Sequence, residues 1–164
     1  MLDDGLSSRL QRRLCERRGL LYDISLSVDS CTDVSFFDLG FRIEPTSVVA
    51  ALDEIFTEFR TLQKDLVGED ELDRVKSRMR REVRLMFETP RYLAARLAET
   101  VALGLPMPLG REDWLKRIEQ ITRESIRAEA RHVFRLDRMS GAIEGPVTPS
   151  MKKRILDACV RGLG

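Results

Sequence analysis

The stretch Gly5-Leu-Ser-Ser-Arg-Leu-Gln-Arg-Arg-Leu-Cys-Glu-Arg-Arg-Gly-Leu-Leu-Tyr-Asp23 changes period in mid-course. Leu6, Leu10 and Leu14 recur at helical spacing, and Gly19 stands where such a helix should stop. From Tyr22 onward, Ile24, Leu26 and Val28 alternate with Asp23, Ser25, Ser27 and Asp29, the pattern of a strand with one buried and one solvated face. Phe37, Leu39, Phe41 and Ile43 repeat it after a turn at 30–33, which predicts an antiparallel hairpin over 21–43.

Outward from the hairpin the chain reads as helices. Val48, Leu52, Ile55, Phe59 and Leu62 form one helical stripe, and an acidic run after Gly68 opens a helix over about 69–88. Thr89-Pro90 caps a third helix ending near Gly104, and 105–110 is a Pro-rich loop. Helices follow over 111–119 and 123–134, the second capped by Thr122; a short strand is predicted over about 138–144, and Thr148-Pro149 caps a terminal helix. The expected class is α+β, a small antiparallel sheet covered by several long helices. The length, 164 residues, suits a single domain, 1–164, able to bury roughly 70% of its unfolded surface.

Several function classes recede on composition. With 28 Lys+Arg against 27 Asp+Glu, the net charge of +1 creates no field that selects nucleic acid or an anionic membrane. Arg74, Arg78, Arg80, Arg81 and Arg84 crowd one helix, but Val75, Met79, Val83 and Met86 supply its buried stripe, and stacking aromatics are missing; the arginines read as a solvated, paired face. No apolar run is long enough to span a membrane, so a soluble, cytoplasmic protein is expected, with periplasm and organelles left open. Cys15, Cys31 and Cys159 are odd in number and widely spaced, which suggests neither a disulfide framework nor a thiolate metal site.

The opening stretch resembles the helix-to-strand segment of pitrilysin/insulinase-type zinc metallopeptidases, the inverzincins that include mitochondrial processing peptidase-like proteins, in the half that does not bind metal. Val67-Gly-Glu-Asp-Glu-Leu-Asp-Arg-Val-Lys76, Glu88-Thr-Pro-Arg-Tyr92, Ile118-Glu-Gln-Ile-Thr122 and Ile143-Glu-Gly-Pro146 fall in that family's order. The resemblance implies a further strand and helix before residue 1. It also implies that an open sheet edge follows, free to borrow a strand from a second copy. Tyr22 matches the family tyrosine that helps hold substrate and the tetrahedral intermediate. Cys15 stands seven residues earlier, where the family has arginine, so an exchange to arginine is expected to raise activity. Arg12, Arg17 and Arg18 lie nearby at other helical angles.

Metal binding in this family needs H-x-x-E-H and a distal Glu, and His132 is the only histidine. His132 itself reads as an ordinary helical histidine. The implied function is that of a metal-free domain assisting proteolysis by a zinc-bearing half located elsewhere, with peptide substrate and that half as partners and no cofactor of its own. Tyr22 is the one candidate catalytic residue. A non-catalytic assembly domain of the same fold is the alternative, and a simple helical binding module lies outside both.

Overall fold

The computed structural model describes residues 9–17, 19–106 and 110–163, with the side chains of 16, 17, 22 and 23 outside the described set. A π-helix, π1 (Gln11–Arg17), leads into β1 (Leu21–Ser30) and β2 (Ser35–Ile43). After a 3₁₀ turn at Pro45–Ser47 come α1 (Val48–Lys64), α2 (Glu69–Glu88), α3 (Pro90–Ala102), α4 (Arg111–Glu119) and α5 (Arg123–Val133). A second 3₁₀ turn, Leu136–Arg138, precedes α6 (Pro149–Leu163).

The predicted hairpin forms. β1 pairs antiparallel with β2, setting Ile24 opposite Phe41, Leu26 opposite Leu39 and Val28 opposite Phe37, so the alternating apolar positions share one face. Its turn closes with the Cys31 amide donating to Val34 O at 2.8 Å. One detail departs from simple alternation. Leu21 pairs with Ile43 but Asp23 pairs with Arg42, so Tyr22 is the extra residue of a bulge. That one-residue step brings Leu21 onto the same face as Ile24, and both are buried.

The apolar face of the hairpin rests on α1 through rings. Phe59 of α1 stacks on Phe134 at 4.0 Å between centroids, and Phe37 meets both edge-on at 6.3 and 5.5 Å. α1 buries Ala51, Phe56 and Glu58 as well as the predicted Ile55, Phe59 and Leu62. Its buried stripe is wide because π1, α5 and α6 also pack around it. Leu10 and Leu14 are fully buried in the same cluster. α2 sends Val83 and Met86 inward and lies against α3 and α4, forming a second helical group.

The strand predicted over about 138–144 is a correction. Among the described residues the sheet has two strands; Met139 is extended (φ −95°, ψ 135°), yet 139–144 pairs with nothing and every residue from 139 to 150 is exposed. An alternating pattern makes a strand only where another strand satisfies its amides, and none lies alongside.

Candidate functional site

The helix-to-strand junction is built by a left-handed glycine. Gly19 has φ +59°, a conformation that costs other residues a Cβ clash, and it turns the chain out of π1 into β1. The Gly19 amide donates to Cys15 O at 3.1 Å and the Leu20 amide to Leu14 O at 2.8 Å. Each bond spans one residue more than in the usual glycine-terminated α-helix, as the wider winding of a π-helix requires. Three residues after Gly19, the bulge at Tyr22 re-aims the start of β1. The Tyr22 side chain lies outside the described residues, and so do those of Arg17 and Arg18.

Cys15 is placed. It is half-buried and packs against the apolar cluster that holds Leu10, Leu14 and Ile55. Position 15 therefore faces the core here, and a thiol there supplies neither charge nor a forked donor.

The arginine inside Leu-Ser-Ser-Arg-Leu has a different task. Arg9 Nε donates to Glu71 Oε1 at 2.7 Å, Nη2 donates to Glu71 Oε2, and Nη1 donates to Glu58 Oε1 at 2.7 Å. Arg13 Nη1 donates to Glu58 Oε2 at 2.8 Å, and its Nε lies 2.8 Å from Glu54 Oε2. Glu58, only 6% exposed, is thus shared by two guanidinium groups. The Glu71 hydrogen bond, with that from Glu58, raises the Arg9 pKa above its usual range despite partial burial. These pairs tie the N-terminal helical segment to α1 and α2. The sequence reading did not single out Glu58, because a carboxylate within an apolar stripe signals nothing until the facing helix is known.

The remaining candidates sit apart from this junction. His132 is exposed on α5, with Arg138 Nη1 2.9 Å from its Nε2. No group of three or more His, Cys, Asp or Glu able to hold a metal occurs among the described residues, which fits neither H-x-x-E-H nor any other cluster of metal ligands. Two arginines of α2 are engaged by carboxylates, Arg78 with Glu82 and Arg80 with Glu119, both at 2.7 Å. A groove between the hairpin end, α3 and α4 has a mixed lining, with Leu26, Val28, Phe37 and Trp114 beside Ser27, Arg96, Glu99, Thr100 and Arg117. No described helix is long and apolar enough to cross a membrane.

Comparison with known proteins points one way. A family model described as the peptidase M16 inactive domain matches residues 1–79. An uncharacterized zinc protease of Streptomyces coelicolor is 27% identical over 158 residues, which cover 96% of this chain and 34% of that protein. The crystal structure of the peptidase M16 inactive domain from Pseudomonas fluorescens matches with a TM-score of 0.62 at 20% identity, covering 74% of this chain and 28% of that one; the likeness carries the fold. This chain therefore spans about a third of the length of the curated relative it matches.

Proposed function

We propose that this chain, an inactive-type half-domain of the M16 peptidase family, works as the metal-free wall of a peptidase chamber whose zinc is held by a second half. With a single histidine the chain lacks H-x-x-E-H, and no metal-ligand cluster occurs among the described residues, so in this reading metal chemistry belongs to that partner. The observation that carries the reading is the junction: Gly19 at φ +59° followed by a bulge at Tyr22, a backbone device that aims one residue off the regular strand.

In this reading the Tyr22 hydroxyl donates a hydrogen bond to the oxygen on which negative charge develops during peptide hydrolysis. The solvated face of the hairpin, with Ser25, Ser27 and Asp38, lines the chamber, while the helices cover the other face. Cys15, packed against the core, supplies no guanidinium at the position where the family pattern has arginine, which lowers the charge stabilisation available from that position. That same observation favours the second reading, an assembly domain that closes the chamber without taking part in the chemistry.

One experiment separates the two. The chain, within its parent or mixed with a zinc-bearing half, is assayed for chelator-sensitive cleavage of an unstructured peptide, wild type against Tyr22→Phe. A catalytic hydroxyl predicts a drop in kcat of about tenfold or more with little change in KM. An unchanged kcat, with cleavage still dependent on the chain, assigns the assembly role instead.

A further inference from the structure

β2 is an edge with unfinished apolar surface. Phe37, Leu39, Phe41 and Ile43 all point to the helix-covered face but are only half-buried, whereas Leu21 and Ile24 of β1 are buried. Among the described residues β1 also has π1 beside it, while β2 contacts chiefly β1. No lysine or proline within Ser35–Ile43 guards its outer row of backbone groups.

We infer that this edge pairs with the β2 of a second copy, antiparallel and centred on Gly40, giving a continuous four-stranded sheet with the helices of both copies on one side. The sequence of the strand is what selects this occupant. Phe37-Asp38-Leu39-Gly40-Phe41-Arg42-Ile43 is symmetric about Gly40 in apolar character and antisymmetric in charge. A two-fold axis through Gly40 sets Asp38 of each copy opposite Arg42 of the other on the solvated face. On the apolar face it sets Phe37 opposite Ile43 and Leu39 opposite Phe41, twice each. An isologous contact demands this reciprocity, in which each residue meets the partner of its own partner. Within its own hairpin Asp38 faces the uncharged Ser27 while Arg42 faces Asp23, so the cross-copy pair gives Asp38 a counter-ion it lacks and Arg42 a second one. The β1 edge fails the same condition: pairing about Leu26 would set Asp23 against Asp29.

Sedimentation equilibrium on the 164-residue chain, from micromolar to about 1 mM, tests the pairing. Wild type should dimerise. Arg42→Asp and Asp38→Arg each place like charges opposite one another twice, and each should weaken the dimer at least about tenfold. The double exchange Asp38→Arg/Arg42→Asp restores both pairs and should return the dimer to within about threefold of wild type. Far-ultraviolet circular dichroism checks that each variant is folded, because Arg42→Asp also sets a carboxylate opposite Asp23 within its own hairpin, whereas Asp38→Arg faces only Ser27. Hydrogen exchange should show concentration-dependent protection in 36–43. A monomer throughout, a dimer indifferent to the single reversals, a double variant that stays as weak as the singles, or new protection confined to 21–30 would each overturn the pairing.

Discussion

Gly162 shows how much a single missing side chain can matter. A Cβ built there would lie 2.4 Å from the Phe56 ring, itself 3% exposed, so α6 approaches α1 only because that position is bare. The approach is fixed further by Arg60 of α1, whose Nη1 donates to the carbonyls of Arg161 and Gly162 at 3.2 and 3.1 Å. Gly162→Ala should cost about 1–3 kcal/mol, read as a lower urea midpoint with unchanged m value, because the ring has nowhere to go in a packed core. Cys15 poses the opposite case. The family resemblance suggests that arginine there would restore a clamp, but the side chain packs against the apolar cluster. Cys15→Arg should therefore destabilise the chain by about 1–3 kcal/mol through burial of part of a charged side chain, measured by the same titration, without a gain in peptide cleavage. Gly19 was legible in the sequence, because a glycine that stops a helix before a strand announces its own conformation. Gly162 was not, since its reason lies on another helix, more than a hundred positions away.

At the scale of elements, local signals succeeded where the partner group is also local. Thr122 caps α5 as its position predicts, its hydroxyl accepting from the Ser125 amide at 3.1 Å while Ser125 Oγ accepts from the Thr122 amide at 3.0 Å. Thr148 likewise accepts from the Met151 amide at 3.2 Å, whereas Thr89 makes no side-chain cap bond and leaves the start of α3 to Pro90. The hairpin register was legible because alternation fixes which face is buried; the bulge at Tyr22 was not, since either Leu21 or Tyr22 satisfies the pattern. Of the α2 arginines read as paired, Arg78 meets Glu82 and Arg80 meets Glu119, and Glu119 lies on α4, so only the fold brings that second pair together. That pairing has a pH signature. The hydrogen bond from Arg80 holds the Glu119 carboxyl below its ordinary value of 4.5. A depressed carboxylate contributes stability that is present above its ordinary pKa and lost as pH falls through the folded value. Between pH 6 and about 3, wild type should therefore lose more stability than Glu119→Gln, and the two urea midpoints should converge at the acid end. Parallel curves would mean that the pair contributes nothing in solution.

For the whole molecule, the helical layers are complete and the sheet is the sparse part. α1 carries the core, with the hairpin, π1, α5 and α6 around it, while α2, α3 and α4 form a flanking group. The segment 139–148 links the turn after α5 to α6, both of them helices packed on α1, with its residues exposed, Ile143 at 52% and Met139 at 38%. Its apolar alternation was visible in the sequence, but strand formation is decided by a neighbour, which no local pattern encodes. Gly141 and Gly145 loosen it further, Gly145 at φ 143°. An exposed, unpaired stretch is what a protease needs, because its backbone must be drawn out and extended in the active cleft. Brief proteolysis of the native chain should cut first at Arg138–Met139 with trypsin and after Glu144 with a glutamate-specific enzyme, well before any bond inside α1. The terminal fragment should nevertheless stay attached. α6 buries Ile155, Ala158 and Gly162 against α1 and is held at its end by Arg60. Native mass spectrometry should therefore show the nicked chain at its full mass, and denaturation should release the fragment. Early cuts inside α1, or loss of the fragment under native conditions, would contradict this division between a packed helical core and an exposed, unpaired connecting segment.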